Sequence, residues 1–306
     1  MEAIAPERTL SAWIVTYKKI ISEREVKPKT LQDKGLWLGY LEAAFGNRII
    51  DSIMPFELAA MAKKVAETGK QTAARRIIIE AKDLFYEALL NGLVFRNPAD
   101  SVRPIKPKIK RRRLTLESWQ DMYALAPNGS IQRRMLLLSL VSAQRRADLC
   151  TARFADVQDG HLHVIQQKTG RHIRIPTTLR LDAIDVSLQD AIEECRLAAK
   201  GSPYMLPMRK GNQSPPHRLT NLFSECRKTV TISVDSGQSL PSLHEVRSLA
   251  ERLYRHQGVD TQTLLGHKFP RTTNLYNDDR GLSAGEWKTV RLQMPNMHSG
   301  DHRSDS

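Results

Sequence analysis

A histidine and a tyrosine lie nine positions apart near the end of the sequence, in the segment LLGHKFPRTTNLYNDDRG at 264–281. A proline, two basic residues and two threonines separate His267 from Tyr276. A tyrosine near a chain end is usually a packing residue, but its hydroxyl is a nucleophile when a base and cationic groups lie beside it. Tyr276 is therefore a candidate nucleophile only if other parts of the sequence supply those groups.

Three other segments carry charged residues where a helix or hairpin is predicted. Arg145 and Asp148 of SAQRRADLC are three residues apart, hence on one helical face, and His244 and Arg247 have the same spacing in LHEVRSLAERLY. Lys168 lies in the turn KTG between two predicted strands. Alone, each motif is ordinary: a surface ion pair, a surface His-x-x-Arg and a solvated hairpin tip.

Together and in this order, the motifs resemble the tyrosine recombinase family. The matching residues span about 130 positions and are Arg145, Lys168, His244, Arg247, His267 and Tyr276. RRADLC, QKTG and YNDDRG with the following Trp287 are similar to the lambda-type phage integrases of that family. The resemblance implies a mostly α fold with a small β-sheet (α+β), in which a helical core-binding bundle precedes the catalytic domain.

The resemblance also implies the reaction, because transfer of a phosphodiester needs a nucleophile and a protonated leaving group. Tyr276 would attack the phosphorus and form a covalent 3′-phosphotyrosine, and Lys168 would protonate the 5′-oxygen. The energy of the broken bond is kept in the protein–DNA link, so rejoining needs no cofactor, metal or ATP.

Charge on the phosphate oxygens must be stabilised in the same reaction. A guanidinium group can donate two parallel hydrogen bonds to two oxygens of one phosphate, and it stays charged. Arg145 and Arg247 are therefore suited to this role. His267 would donate a further hydrogen bond to the phosphate. His244 would accept the tyrosine proton, directly or through a relay, or hold the phosphate.

The sequence departs from the family pattern in two places. Family members usually have a glycine two residues before the first arginine, where this chain has Ala143, and a second arginine, Arg146, follows the first. We choose Arg145 because it precedes Asp148 by three residues, as in the family. Lambda-type integrases usually carry an N-terminal domain for accessory DNA sites, whereas this sequence begins at the core-binding helices. Either the protein lacks that domain or the sequence is a fragment.

Apolar periodicity and turn residues predict the elements and the domains. Helices are predicted at 9–24, 30–45, 55–67, 70–91, 115–126, 131–142, 187–199, 217–228, 244–256 and 259–266, and strands at 161–167 and 171–177. Thr9 is predicted to cap the first helix. The predicted domains are a helical DNA-binding domain at 1–98, a basic linker at 99–113, a catalytic domain at 114–293 and a disordered tail at 294–306.

The positive charge points to a polyanionic partner. The 306 residues include 47 Lys and Arg against 33 Asp and Glu, a formal charge of +14. Nucleic acid is the favoured partner, because every phosphate neutralised releases counterions, while a solvated basic surface or anionic lipid is the alternative. The linker is either a strap on the phosphate backbone or a solvated tether. The predicted DNA-binding residues are Lys70, Arg75, Arg76, Lys106, Lys108, Lys110, Arg111, Arg112 and Arg113.

Other classes of protein are disfavoured. Three widely spaced cysteines without a CxxC motif predict neither a disulfide framework nor a zinc cluster, and a reducing compartment fits best. His161 and His163, with His172 on the facing strand, lack the carboxylates or thiolates of a zinc site. MLLLSLV at 135–141 is too short to cross a membrane, and the first residues do not resemble a signal peptide. We expect a cytoplasmic protein of the bacterial host, associated with the nucleoid.

The leading hypothesis is a site-specific DNA recombinase that integrates or excises a mobile element. The resemblance implies a homotetramer acting on double-stranded core-type sites, with accessory DNA-bending proteins as further partners. A topoisomerase of type IB would share the chemistry but act as a monomer without pairing sites. A non-catalytic DNA-binding regulator on the same scaffold is disfavoured, because all six catalytic-type residues are present.

Overall fold

The computed structural model describes residues 8–107, 110–208 and 210–276. Its helices and small antiparallel sheets confirm the predicted α+β class. The chain divides between Ile109 and Lys110 into two compact units, a boundary that falls inside the predicted linker. The predicted tail at 294–306 and the predicted end of the catalytic domain lie outside the described residues.

The first unit is a bundle of four helices whose apolar faces meet. They are α1 (Leu10–Glu23), α2 (Pro28–Phe45), α3 (Pro55–Glu67) and α4 (Gln71–Leu90). The predicted cap of α1 is confirmed, since the hydroxyl of Thr9 accepts a hydrogen bond from the amide of Ala12 at 3.3 Å. Leu10, Ile14 and Tyr17 of α1 are fully buried against the other helices. Burial of this apolar stripe holds a bundle whose single helices are too short to be stable alone.

A buried polar cluster fixes how α4 lies in this bundle. The hydroxyl oxygen of Tyr17 lies 2.6 Å from the carboxylate of Asp83 and 2.9 Å from that of Glu80, and its proton is donated within this pair. Lys34 of α2 pairs with both carboxylates, at 2.8 Å and 2.9 Å. Because the cluster joins α1, α2 and α4, it sets the rotation of α4 and thereby which residues α4 exposes.

The second unit contains the remaining helices and both sheets. Its helices are α5 (Leu116–Leu125), α6 (Ile131–Ser142), α7 (Arg146–Thr151), α8 (Leu188–Ala198), α9 (Pro216–Lys228), α10 (Leu243–His256), α11 (Thr261–Leu265) and α12 (Pro270–Asn274). Its strands are β1 (Val157–Gln158), β2 (His161–Ile165), β3 (His172–Pro176), β4 (Arg180–Leu181) and β5 (Val186–Ser187). The first three strands form one antiparallel sheet in chain order, and β4 pairs with β5.

Helix α6 lies at the centre of the second unit, and each of its residues from Arg134 to Ser142 is buried. A helix that is apolar around its whole circumference must be enclosed by other elements. Helices α8, α9 and α10 pack around it. Cys150, Cys195 and Cys226 are buried in the same core as free thiols. In the described ranges, no helix is long and apolar enough to span a membrane.

The chain breaks sharply after α6, and this break places the first arginine. Ala143 takes a left-handed conformation with φ of 54°, and Arg145 is extended as the residue that precedes α7. The prediction that Arg145 lies in one helix with Asp148 is therefore wrong, because Arg145 precedes α7 and Asp148 lies in its first turn. Ala143 occupies the position where the family usually has glycine, and its positive φ explains that preference, because glycine alone enters this region without strain.

Candidate active site

Arg247 of α10 is the most deeply buried of the predicted catalytic residues, with 2% of its surface exposed. Its Nη1 donates to the carbonyl of Ala143 and its Nη2 to the carbonyl of Leu265, each at 2.5 Å. The guanidinium thus joins the end of α6 to the end of α11. Its Nε has no partner among the residues that the structure describes.

Arg145 reaches the same region and is held there by a glutamine. Its Nη1 donates to Oε1 of Gln166 at 2.5 Å. The Gln166 amide is fully buried, and its Nε2 donates to the carbonyl of Leu265 at 3.1 Å and to Gln144 at 3.3 Å. The alternative arginine, Arg146, is exposed and donates to Thr220 of α9 at 2.5 Å. These contacts place Arg145 beside the other predicted catalytic residues and direct Arg146 away from them, which distinguishes two arginines that are adjacent in the sequence.

The predicted hairpin is confirmed, and its turn places Lys168 in solvent beside Gln166. Gly170 has φ of 67°, and its amide donates to the carbonyl of Gln166 at 2.8 Å. The hydroxyl of Thr169 donates to Oε1 of Gln166 at 2.9 Å, the same oxygen that holds Arg145. Asp148 is buried and accepts the backbone amide of Gln167 at 2.8 Å, so this carboxylate orients the turn.

Tyr276 lies between the two predicted histidines. Its hydroxyl is 3.1 Å from Nε2 of His244, at the exposed start of α10. Its ring centroid is 5.5 Å from that of His267, with the planes inclined by 29°. His267 is 6% exposed, its Nδ1 is 2.9 Å from the hydroxyl of Thr273, and its Nε2 is 3.5 Å from Nη2 of Arg247.

The environment keeps both histidines neutral and the arginine charged at neutral pH. Desolvation, followed by the charge of Arg247, lowers the pKa of His244 and of His267 to about 4 in each case. Desolvation, followed by the charge of Arg145, lowers the pKa of Arg247 to about 10. A neutral His244 is able to accept the proton of the tyrosine hydroxyl.

The glycine of the LGH motif is required for two physical reasons. Gly266 ends α11 in the left-handed conformation, with φ of 61°. A Cβ at this position would lie 2.6 Å from Cδ1 of Ile173 and 2.7 Å from Oε1 of Gln166. The backbone therefore approaches the Gln166 amide as closely as only glycine allows.

The structure brings five of the six predicted catalytic residues into one network of contacts and places Lys168 on the adjoining turn. The residues that sequence reasoning missed are Gln166 and Thr273, which contact predicted catalytic side chains, and Gln144, which accepts a hydrogen bond from Gln166. Their closeness in sequence to predicted catalytic residues could have indicated two of them, since Gln166 lies two residues before Lys168 and Gln144 directly precedes Arg145.

The predicted DNA-binding residues are spread over both units. Lys70, Arg75, Arg76 and Lys106 are exposed in the first unit, and Lys110 and Arg111 in the second, where Arg112 is half-buried. Lys108 lies outside the described residues. The prediction that Arg113 is an exposed DNA-binding residue of the linker is wrong, because Arg113 is only 3% exposed and pairs with Glu245. Its burial comes from this ion pair inside the second unit, which a run of like charges in the sequence does not indicate.

None of the three histidines of the sheet is directly paired with another across the strands. The register places Arg174 opposite His163 and Pro176 opposite His161, while His172 pairs with Ile165. Across the described ranges, no three His, Cys, Asp or Glu side chains form a possible metal site.

Comparison with known proteins places this site in a family. The phage integrase family matches residues 112–281. The integrase of Escherichia phage HK022 is 34% identical over 287 residues, which cover 93% of this chain and 79% of the relative. The prophage integrase IntE of Escherichia coli K12 is 36% identical over 301 residues, covering 93% and 78% of the two chains.

Solved structures are similar over the same extent. A lambda integrase dimer bound to a core site has a TM-score of 0.83 at 31% identity, covering 93% of this chain and 81% of that one. A lambda integrase tetramer bound to a Holliday junction has a TM-score of 0.85 at 30% identity, with the same coverage. This chain therefore belongs to the phage integrase family and is a site-specific tyrosine recombinase of the lambda type.

Proposed function

We propose that Tyr276 cleaves duplex DNA through a covalent 3′-phosphotyrosine and that strand exchange between two sites integrates or excises a mobile element. The observation that supports this most directly is the position of the tyrosine hydroxyl. It lies 3.1 Å from Nε2 of His244, beside His267 and Arg247. A nucleophile, a neutral base and a buried cation are thus gathered at one place, as phosphoryl transfer requires.

In the proposed reaction, the hydroxyl of Tyr276 gives its proton to His244, directly or through a relay, and its oxygen bonds to phosphorus. The bond between phosphorus and the 5′-oxygen breaks, and Lys168 protonates that oxygen. Arg145 and Arg247 stabilise the charge on the non-bridging oxygens, with a further hydrogen bond from His267. Attack by a 5′-hydroxyl of the partner duplex reverses these steps and restores the tyrosine.

The proposed substrate is double-stranded DNA with core-type sites, bound by a homotetramer. The lambda integrase relatives are described as a dimer on a core site and a tetramer on a Holliday junction. The exposed cations of both units would contact phosphates, and Arg113 is left out of this set because it is buried in an ion pair. Accessory DNA-bending proteins and action in the bacterial cytoplasm complete the proposal.

A suicide substrate tests the covalent step. A nick beside the cleavage site releases a short 5′-hydroxyl fragment, so religation fails and the adduct accumulates. With duplexes from the DNA that flanks the gene, we expect a denaturation-resistant adduct for the wild type and none for Tyr276→Phe. Tyr40→Phe, on α2 of the first unit, is the control. An adduct mapped to another tyrosine would refute the assignment.

A second substrate tests Lys168, and paired sites test recombination. A bridging 5′-thiolate leaves without a proton, so it should restore cleavage by Lys168→Ala but not by Arg247→Ala. If the thio-substrate restores nothing, Lys168 is not the general acid. Strand transfer between paired sites is expected, whereas relaxation of DNA without transfer would indicate a topoisomerase.

A further inference from the structure

Arg113 is the last residue of the basic run and the one whose side chain enters the second unit. It is 3% exposed, whereas Arg111 in the same run is exposed. Its Nη1 donates to Glu245 at 3.0 Å and to the hydroxyl of Ser248 at 2.6 Å, and its Nη2 donates to the carbonyl of Leu275 at 2.8 Å. A fully buried arginine with acceptors on two elements has a defined orientation.

The backbone before Arg113 is itself fixed to the second unit. The amide of Ser239 donates to the carbonyl of Lys110 at 2.7 Å, and the amide of Arg112 donates to the carbonyl of Ser239 at 2.9 Å. Ser239 lies in the loop that leads into α10. The run from Lys110 to Arg112 is therefore paired along this loop, so Arg113 enters the unit at a set position.

The acceptors of Arg113 are adjacent to catalytic residues. Glu245 and Ser248 lie on α10 immediately after His244 and Arg247, respectively. The Leu275 carbonyl belongs to the peptide bond that joins Leu275 to Tyr276. One guanidinium thus links the helix that carries the base to the backbone of the nucleophile.

Side chains of this segment also contact the second unit, from Thr273 to His267 and from Tyr276 to His244, while the backbone carbonyl of Leu275 accepts from Arg113. Helix α12 has five residues, too few to be stable alone, and Leu275 is 69% exposed. The amide of Tyr276 donates to the carbonyl of Thr273 at 2.9 Å within the same short turn. The Leu275 carbonyl is therefore anchored to the body of the unit by a charge-assisted hydrogen bond from Arg113, which is stronger than a neutral one.

We infer that Arg113 is a positioning residue for Tyr276, so that the end of the interdomain run sets where the nucleophile lies. This inference rests on the proposed role of Tyr276. The guanidinium acts through the Leu275 peptide, to whose carbonyl it donates. The basic run then has two functions, because its exposed cations meet solvent or DNA while its last member orients the active site.

The test must remove the contact with Leu275 without leaving a buried carboxylate unpaired. Arg113→Met with Glu245→Met removes both charges and keeps side chains of similar volume, which usually preserves stability. Arg133→Met is the matched control, since Arg133 also donates to a backbone carbonyl, that of Tyr123 at 2.9 Å, on another part of the unit. Thermal melting of both variants verifies that they fold.

Two measurements on the full chain then decide the matter. Fluorotyrosine incorporated at position 276 reports the ring environment by fluorine NMR without DNA. We expect the wild type and the Arg133→Met variant to share a shifted resonance, and the double variant to give a narrow resonance near that of an unfolded peptide. On the nicked duplex, the double variant should form the adduct about 100-fold more slowly at unchanged DNA affinity, the scale expected for a small misplacement of a reacting group.

Each outcome has a distinct meaning. A fluorine resonance that does not move in the double variant overturns the inference, because the tyrosine then keeps its place without Arg113. A moved resonance with an unchanged rate of adduct formation overturns it as well, since the position would not matter for the reaction. A folded wild type that forms no adduct refutes the proposed function, whereas the NMR comparison still measures the contact between Arg113 and Leu275.

Discussion

Nη1 of Arg145 donates to Oε1 of Gln166 at 2.5 Å, and the hydroxyl of Thr169 donates to the same oxygen from the turn that carries Lys168. One buried amide therefore holds both the first arginine and the turn that carries the hairpin lysine. We expect Gln166→Met to slow adduct formation by about 100-fold, because Arg145 and Thr169, in the turn that carries Lys168, lose their common acceptor.

The same substitution leaves partners of Gln166 unsatisfied, so it should lower the free energy of unfolding by about 1–3 kcal/mol. Gln167→Met, at the exposed neighbouring position, is the control for melting and for adduct formation. Wild-type rates for Gln166→Met would show that Arg145 is positioned by other contacts.

Alanine substitutions at two glycines at helix ends can distinguish the cost of backbone strain from the cost of a clash with neighbouring atoms. Gly258 and Gly266 both have a positive φ, of 78° and 61°, but a Cβ on Gly258 would meet nothing within 4 Å. Gly258→Ala should cost about 1–2 kcal/mol of stability through strain alone and leave cleavage unchanged. Gly266→Ala should cost more and also reduce cleavage, because the new methyl group displaces Gln166. Equal losses in the two variants, measured by urea unfolding, would contradict the role given to close approach.

Ala143 is a buried alanine in the left-handed region, with φ of 54°. Ala143→Gly should raise the free energy of unfolding by up to about 1 kcal/mol, because relief of strain exceeds the entropy that glycine loses on folding. Ala147→Gly within α7 is the control, and it should destabilise by about 1 kcal/mol, as glycine does inside a helix. Destabilisation of the same size at both positions would mean that the strain at Ala143 is negligible.

Stability should fall as the solution is acidified. The pKa of His267 is lowered to about 4 in the folded protein, so between that value and its ordinary pKa the unfolded chain binds the proton and the folded chain does not. Above the ordinary pKa of histidine, His267 does not reduce the free energy of unfolding. As the pH falls through this window, protonation of the unfolded chain lowers the free energy of unfolding progressively, by about 2 kcal/mol at pH 5. Melting of His267→Gln should depend less on pH across the window. His217→Gln, at an exposed position, should follow the wild type, and parallel curves for all three proteins would refute the shift.

Much of the fold follows from periodicity, and the exceptions have physical causes. The helices of the first unit and the KTG hairpin were predicted to within a few residues, because each has a long apolar stripe or a glycine turn. The break between α6 and α7 was not, since Ala143 carries no glycine or proline signal. Strands β4 and β5 and helix α12 are too short for any periodicity to appear.

The candidate site likewise contains residues that could be predicted from the sequence and residues that could not. The resemblance supplied the residues with direct chemistry, whereas the groups that orient them depend on contacts between distant parts of the chain. Arg113 meets Glu245 across 132 positions, and in a linear run of four basic residues its burial has no local signal. Gln166 likewise looks like any polar residue beside a turn until its amide is placed against Arg145.

Salt dependence should separate the exposed members of the run from Arg113. Replacing Lys106, Lys110 and Arg111 by glutamine should flatten the dependence of log K on log salt, by roughly 0.9 for each phosphate that the protein no longer neutralises. The double variant at Arg113 and Glu245 should keep the wild-type slope, because Arg113 is buried. Filter-binding titrations over a range of salt concentrations measure the slope. An unchanged slope in the glutamine variant would make the run a solvated tether.

The acceptors of Arg145 and Arg247 are the carbonyls of Ala143 and Leu265 and the amide of Gln166, and all three are uncharged. These uncharged acceptors orient the guanidiniums and leave their positive charge in place. The arrangement also creates a genetic weak point. A glutamine codon becomes a glutamate codon by one base change, and Gln166→Glu would place a carboxylate against the guanidinium of Arg145. Under the proposed function, that carboxylate would compete with the phosphate for Arg145, so a single base change should strongly reduce cleavage.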